Sequence, residues 1–331
     1  MIIPLPLGHR PTPLEPLVAL GDALGIELYL KREDRIDDLG CGSKVRKVAH
    51  ELAAARALGA GVIVTSGSAQ SNQCKAVAAY APRAGMRAHL VYGGDQQRRP
   101  EVPTGNYLVT AIMRPAITWF ERWPWDRMEE KVAEVAEAHA RAGERPYVIG
   151  PGGSSWPSLL GPVDLGRELV DQMAGRGRRR GHIVAVAGTG ETCVGLALAS
   201  AMSAATWTVH GIVIAGDAAA RERTEAALLA VWRERSRIPI ATDPVRFHDF
   251  AAGGGYDRHA PDELDFAAGL ARDHGLLFDP NYMAKAARGL VGLVDRGAIA
   301  RGEAVVLLHS GGSHGLFGDT PDLRRWAAAH P

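Results

Sequence analysis

Residues 42–73 read GSKVRKVAHELAAARALGAGVIVTSGSAQSNQ, and their pattern predicts a helix, a strand and a turn in succession. Apolar residues recur at helical spacing from Lys44 until Gly59, which predicts an amphipathic helix that ends at the glycine. The apolar run GVIVTS at 61–66 is typical of a strand buried in a parallel sheet. The small-residue turn SGSAQSNQ at 66–73 then opens a second helix. This order places the amine of Lys44 near the backbone N–H groups and hydroxyls of that turn, which suits a carbonyl or carboxylate ligand.

The same strand–turn–helix order recurs along the rest of the chain. Strand-like apolar runs followed by glycine-rich turns occur at 86–94, 146–155, 182–192 and 303–312. Residues 275–297 are predicted to contribute a short strand, a turn and a further helix. Strands that alternate with helices predict right-handed crossovers and an α/β fold, with open, mostly parallel twisted sheets that carry helices on both faces.

Composition and charge restrict the possible functions. The 331 residues suffice for two domains or one large α/β unit. A formal net charge of +1 gives no electrostatic case for nucleic acid or an anionic membrane as partner, and the apolar runs are too short to span a bilayer. The histidines and cysteines show no metal-ligand spacing, so no metal site is predicted. Three dispersed cysteines and an N-terminal stretch without a signal-peptide pattern predict a cytoplasmic protein without disulfides.

The turn AGTGET at 187–192 is a candidate phosphate cradle. It follows an apolar strand and opens a small-residue helix, so successive backbone N–H groups and the helix N-terminus can face an anion. Thr189 and Thr192 can add hydroxyl donors, and a monophosphate fits the spacing better than a diphosphate. Glu191 counts against this interpretation, because a carboxylate repels a phosphate unless it points outward. The alternative is a plain strand-to-helix turn.

Lysine is rare in this chain. The six lysines are at positions 31, 44, 47, 75, 131 and 285. Arginine stays protonated, so an amine that forms an imine must be one of these six. Lys44 is the best candidate because Arg46 and Lys47 are close in sequence and, together with desolvation, would lower its pKa. The alternative for any single lysine is a solvated surface residue.

The turn that opens the second helix carries further candidates. Ser68, Ser71 and Asn72 could bind a substrate carboxylate or a ring oxygen through their side chains and the helix N-terminus. The alternative is that Ser71 only caps the helix.

Three more candidates follow strands or lie in loops. Ser310 ends a buried strand and should lie at the carboxyl edge of the sheet, where a hydroxyl can bond a heteroaromatic nitrogen. Tyr282 lies in a comparable turn and Tyr256 in a glycine-rich loop. Either phenol could act as an acid or base, or simply pack.

Together these motifs resemble fold-type-II pyridoxal-phosphate enzymes of the 1-aminocyclopropane-1-carboxylate deaminase and D-cysteine desulfhydrase group. The resemblance runs in order through RPTPLEPL, LYLKREDR, GSKVRK, AQSNQ, YVIGPGGS, GTGET, DPNYMAKA and HSGG, and so covers nearly the whole chain. It implies a large cofactor domain formed by 1–46 and 156–331, and a small domain formed by 47–155. It also implies a cofactor cleft between the domains and a homodimer.

The resemblance implies a role for each candidate residue. Lys44 would bind pyridoxal 5'-phosphate (PLP) as a Schiff base, Asn72 would contact the ring hydroxyl and Ser310 the ring nitrogen. The cofactor phosphate would be held by Gly188, Thr189, Gly190, Glu191 and Thr192. The catalytic residues would be Lys44, Ser71, Tyr256 and Tyr282, and the small amino-acid substrate would contact Ser71, Gln73, Tyr256 and Tyr282.

The chain departs from the usual family pattern close to the chemistry, at Ser43 and Gln73. The deaminases carry Glu after the second tyrosine, where this chain has Met283. A carboxylate there keeps the ring nitrogen protonated and strengthens the electron sink, so its absence argues against ring opening of a cyclopropane. The family's Tyr-Gly-x-Pro loop is replaced by Tyr-Asp-Arg-His at 256–259, which indicates an unusual substrate.

The activity expected from this resemblance is that of a lyase. It would remove the α-proton of a small amino acid and eliminate the β-substituent, giving a 2-oxo acid and ammonia, with D-cysteine as the leading case. One alternative is β- or γ-replacement in a biosynthetic pathway. Another is a cofactor-free α/β ligand-binding protein whose site has degenerated, to which Ser43, Gln73 and Glu191 lend support.

Overall fold

The computed structural model describes residues 2–95, 97–150, 152, 154–236, 238, 240, 242–318 and 321–330. Its strands are β1 (Leu14–Pro16), β2 (Glu27–Arg32), β3 (Val62–Gly67), β4 (Arg87–Gly94), β5 (Ala116–Glu121), β6 (Pro146–Ile149), β7 (Arg180–Ala187), β8 (Thr206–Val213), β9 (Arg246–His248) and β10 (Ala304–His309). Its helices are α1 (Val18–Leu24), α2 (Lys44–Ala57), α3 (Asn72–Tyr80), α4 (Gly105–Met113), α5 (Met128–Arg141), α6 (Trp156–Ala174), α7 (Glu191–Ala201), α8 (Ala218–Ser236), α9 (Pro261–His274), α10 (Met283–Asp295) and α11 (Pro321–Ala329).

The strands form two sheets. The larger has the order β1-β2-β10-β7-β8-β9 and is parallel except for the antiparallel pair β1–β2. The smaller has the order β5-β4-β3-β6 and is parallel throughout. The predicted parallel α/β architecture is confirmed, because continuous apolar runs such as β3 and β10 are buried along their whole length.

Helices cover both faces of the larger sheet. One face packs on α6 and α7 through residues such as Leu169, Val194 and Ile183. The other packs on α10 through Leu290 and Val305. The strands of the smaller sheet all lie between 62 and 149, within the segment 47–155 that was predicted to be the small domain. The exact domain boundaries stay a prediction.

The short strand predicted at the start of 275–297 does not form. Residues 275–279 have no regular secondary structure and lead into α10. Leu276 and Phe278 are buried and Leu277 is exposed, which is the alternation that suggested a strand. Their burial comes from packing in the core with α10, and β10 is already paired on both sides by β2 and β7. Alternating burial therefore occurs here without backbone pairing.

Several turns follow the carboxyl ends of parallel strands in the two sheets. The turns after β3, β6, β7 and β10 all follow the carboxyl ends of parallel strands, where ligands bind in open α/β sheets. Among the described residues, no helix combines the length and apolar character needed to cross a bilayer.

Candidate active site

Lys44 is the first residue of α2, and its amine reaches the turn after β6. Its Nζ donates a hydrogen bond of 3.0 Å to the carbonyl oxygen of Gly152. Burial and, to a lesser extent, the neighbouring cation Lys47 lower the pKa of the Lys44 amine, which lies at about 7. Glu191 and Cys74 raise the pKa, but by less. A large fraction of this amine is therefore unprotonated and nucleophilic at neutral pH.

Arg46 does not assist Lys44 as the sequence had suggested. Residues three apart share a helix face and residues two apart do not, so Lys47 lies beside Lys44 whereas Arg46 faces elsewhere. Arg46 binds the carboxylates of Glu33 and Glu168, with N–O distances of 2.7 and 2.9 Å. Of the two cations that were expected to lower the pKa of Lys44, Lys47 is a cause of the shift and Arg46 is not.

The predicted phosphate cradle, Gly188–Thr192, joins β7 to α7. Gly190 is the N-cap of α7 with φ 92°, a left-handed conformation that favours glycine, and no side chain caps the helix. The first N–H groups of α7 are thus available to an anion. The cradle also packs against Gly152, the residue whose carbonyl accepts the hydrogen bond from Lys44. A Cβ added to Gly152 would lie 2.7 Å from Thr189 Cγ2.

The side chain of Glu191 is held away from the cradle. Its buried carboxylate binds the ammonium of Lys47, the hydroxyl of Ser158 at 2.9 Å and the backbone N–H of Ser155 at 3.3 Å. Lys47 on α2 therefore offsets the negative charge that counted against a phosphate. Glu191 can therefore contact a phosphate only through its backbone N–H, in the first turn of α7.

The turn between β3 and α3 is tightly folded. Ser71 caps α3 by accepting a hydrogen bond of 3.2 Å from the backbone N–H of Cys74. A Cβ added to Gly67 would lie 2.5 Å from Ser71 Oγ, so the turn requires glycine there. Ser71 therefore caps α3, and its catalytic role stays a prediction.

The side-chain amide of Gln73 is buried in this turn region without a hydrogen-bond partner in the described part of the chain. The residue is 2% exposed, and neither its amide nitrogen nor its amide oxygen has a hydrogen-bond partner among the described residues. Such buried polar atoms are rare in proteins without a ligand or water to satisfy them. Gln73 is therefore suited to a bound polar molecule, as predicted for the substrate.

Two tyrosines lie together opposite this turn. The hydroxyls of Tyr256 and Ser68 are 3.1 Å apart, and the rings of Tyr256 and Tyr282 meet edge to face with centroids 5.9 Å apart. Burial raises the pKa of both phenols above the ordinary value, and the two tyrosines influence each other. Both are therefore protonated at neutral pH and can donate a proton or a hydrogen bond.

Ser310 lies beside Lys44 at the end of β10. Its carbonyl oxygen accepts the backbone N–H of Ser43 at 2.9 Å. A Cβ on Gly42 would lie 2.1 Å from that oxygen, so the close approach requires glycine. The hydroxyl of Ser310 lies 3.8 Å from the sulfur of Met283. The ring-nitrogen contact predicted for Ser310 stays a prediction.

The altered loop at 256–259 is held by a reciprocal contact. Asp257 has φ 55°, a left-handed conformation at the place where the resembling family carries glycine. Its backbone N–H donates to Asn281 Oδ1 at 2.8 Å, and Asn281 Nδ2 donates to the Asp257 carboxylate at 2.5 Å. These two bonds offset the cost of the left-handed conformation and keep Tyr256 next to Tyr282.

Comparison with known proteins shows the family. The sequence profile of the pyridoxal-phosphate-dependent enzymes matches residues 5–311. The chain belongs to this family. It is 32% identical to 1-aminocyclopropane-1-carboxylate deaminase from Burkholderia vietnamiensis, an alignment that covers 93% of both chains. It is 29% identical to D-cysteine desulfhydrase from Klebsiella pneumoniae, over 96% of this chain and 97% of the relative. A crystal structure of a homologue of the deaminase superposes with a TM-score of 0.86 at 28% identity, covering 95% of this chain and 93% of that chain.

PLP is the cofactor of this family, and the site fits it in three respects. Lys44 supplies an amine with a lowered pKa. The uncapped N-terminus of α7 supplies donors for a phosphate, and the turn is open, since a Cβ added to Gly188 would meet nothing within 4 Å. Gln73 supplies unsatisfied polar atoms.

The sequence does not reveal the full role of one residue of this enzyme, Lys47. The sequence predicts only that its charge lowers the pKa of Lys44, but Lys47 is fully buried and also binds Glu191 at the start of α7. The signal available in the sequence was its spacing of three residues from Lys44, together with the apolar neighbours that bury α2.

Proposed function

We propose that this PLP-dependent enzyme is a lyase that converts a small amino acid, with D-cysteine as the leading candidate, into a 2-oxo acid and ammonia. The observation that carries the proposal is the buried Lys44 amine with a pKa of about 7, hydrogen-bonded to Gly152, against which the phosphate-cradle residue Thr189 packs. Bound PLP supplies an electron sink for the bond electrons at the substrate α-carbon. The relatives named as deaminases and desulfhydrases support the same class of reaction.

Different residues of the chain have different roles in this reaction. With PLP bound, Lys44 Nζ would accept the α-proton of the substrate. Ser71 and Gln73 bind the substrate carboxylate at the N-terminus of α3, where the helix dipole favours an anion. Tyr256 and Tyr282 orient the β-substituent and provide a proton to the leaving group.

Met283 favours elimination over cyclopropane ring opening. It contacts Ser310, the residue predicted to bond the ring nitrogen, and it brings no carboxylate to that position. A thioether cannot keep the ring nitrogen protonated, so the electron sink is weaker than with glutamate. Elimination of a good leaving group such as hydrogen sulfide makes a smaller demand on that sink.

The first test is whether the holoenzyme forms a 2-oxo acid. The purified protein with PLP should be yellow, and it should release 2-oxo acid and ammonia from D-cysteine faster than from L-cysteine, D-serine or 1-aminocyclopropane-1-carboxylate. A yellow protein that forms no 2-oxo acid, but consumes its amino acid when an external thiol is added, would favour the replacement alternative. A protein that stays colourless with PLP would favour the non-catalytic alternative.

We also propose a cytoplasmic homodimer. The three cysteines are unpaired and buried, which agrees with a reducing compartment. The apolar side chains Val102, Leu108, Ile112 and Phe317 are exposed on α4 and its neighbouring segments, and such patches often mark protein interfaces.

The dimer should be measurable in solution. Sedimentation equilibrium is expected to give the mass of two chains, and Ile112→Lys should shift the equilibrium towards one chain because it places a charge in the apolar patch. A monomeric wild-type protein at micromolar concentration would contradict the proposal.

A further inference from the structure

Asn106 is a buried residue next to the site that no sequence motif singled out. It is the second residue of α4 and is inaccessible to solvent. Its Nδ2 donates to the backbone carbonyl of Gln70 at 2.7 Å and to Asn72 Oδ1 at 3.0 Å. The side chain of Gln70 in turn accepts the backbone N–H of Asn106 at 2.9 Å and donates to the carbonyl of Thr104 at 3.1 Å. The start of α4 is thus fixed to the turn that opens α3.

These contacts determine how the amide of Asn72 is oriented. A backbone carbonyl can only accept, so the Asn106 atom that faces Gln70 must be the NH₂ group. The second proton of that NH₂ points to Asn72, so the atom it meets must be the oxygen of the Asn72 amide. The NH₂ group of Asn72 is then on the opposite side, and it makes no hydrogen bond with the part of the chain that the structure describes.

We propose that Asn106 is a positioning residue, which holds the amide of Asn72 with its NH₂ group towards the ring oxygen of the cofactor. This inference rests on the proposed function only in requiring PLP to occupy the cleft beside Asn72. An N–H donor stabilises the anionic ring oxygen, whereas an amide carbonyl in its place would favour the protonated one. Asn106 therefore sets, through Asn72, the pH at which the bound cofactor changes its protonation state.

The test replaces Asn106 with an isosteric side chain that lacks the NH₂ group. In Asn106→Asp the oxygen that replaces Nδ2 has no proton to donate to Asn72, so Asn72 turns its own NH₂ group towards this new acceptor. Loss of one donor to the ring oxygen is expected to raise the pH midpoint of the visible cofactor band by about one unit and to weaken PLP binding about tenfold. Asn106→Ala, which leaves Asn72 free to rotate, should move the midpoint in the same direction by a smaller amount. Absorbance titration of the holoenzyme measures both, independently of turnover.

The control lies on the same helix. Thr110 is buried and donates to the carbonyl of Asn106 at 2.9 Å, without contact to Asn72. Thr110→Val is expected to lower the melting temperature and leave the midpoint of the cofactor band unchanged. A shift in this variant equal to that of Asn106→Asp would mean that general loosening of α4 causes the effect, and would overturn the proposal.

A double substitution separates positioning from a direct effect. Asn72→Ala should itself raise the midpoint, and adding Asn106→Asp to it should cause no further shift, because the residue through which Asn106 acts is gone. Additive shifts, or no shift in Asn106→Asp alone, would overturn the inference. A wild-type protein that develops no cofactor band would overturn the proposed function as well. A shifted midpoint in an enzyme that forms no 2-oxo acid would support Asn106 and contradict the lyase assignment.

Discussion

Lys44→Ala is expected to lower 2-oxo acid formation on the order of 10³-fold or more, since it removes both the covalent attachment of PLP and the base that accepts the α-proton. Borohydride should fix the cofactor to Lys44 in the wild-type protein, and peptide mapping should find no modified lysine in the variant. PLP should still bind reversibly, because the donors of the Gly188–Thr192 turn are unchanged. Attachment of the cofactor to Lys47 or Lys75 in the wild-type protein would contradict the assignment.

The pH dependence of PLP attachment gives a second test of the role of Lys44. The reactive form of Lys44 is the free amine, and its pKa lies near 7, so the rate at which the apoenzyme captures PLP should rise with pH and level off above about 8. An ordinary lysine would still be gaining reactivity at about pH 10. Lys131→Ala is the matched control, because Lys131 lies on helix α5, beside the smaller sheet, and pairs with Glu134 of the same helix. It should change neither the rate nor its midpoint.

The sequence was sufficient for the architecture, because that depends on local patterns, whereas the roles of the candidate site residues stay predictions. Continuous apolar runs identify buried parallel strands, and the turns after them meet at the carboxyl edge of the sheets. The strand expected at the start of 275–297 failed since alternation records burial and not backbone pairing. Leu276 and Phe278 are buried in the core that the helices share with the larger sheet, without pairing to a strand in the described part of the chain.

Partners far apart in the sequence could not be predicted. The carboxylate of Glu191 looked unfavourable for a phosphate site because its counter-ion, Lys47, is 144 residues earlier in the chain. Asn106 was missed for the same reason, since its contacts to Gln70 and Asn72 depend on how α4 packs against the turn before α3. Tertiary packing decides both cases.

Arg46→Met is expected to lower the free energy of unfolding by about 3–5 kcal/mol, because it leaves the buried carboxylate of Glu33 without its counter-ion. The guanidinium forms two hydrogen bonds to Glu33, of 2.7 and 2.8 Å, and also binds Glu168. Arg46 and Glu33 are each no more than 1% exposed, so water cannot replace the lost partner. Lys31, itself fully buried, binds the other side of Glu168, which completes a neutral group of two cations and two anions. The measurement is the urea midpoint of the apoprotein, followed by circular dichroism.

Two further variants identify the cause of this loss. Arg127→Ala breaks an exposed pair with Glu130 on the protein surface and should lower the free energy of unfolding far less than Arg46→Met. Arg46→Lys keeps the charge but loses the planar fork that binds Glu33 with two nitrogens, so its stability should fall between the wild type and Arg46→Met. A loss in Arg46→Met no larger than in Arg127→Ala would show that the buried group contributes nothing. Since Arg46 is two residues after Lys44 in the first turn of α2, Arg46→Met should also slow PLP capture by disordering the helix that carries the amine.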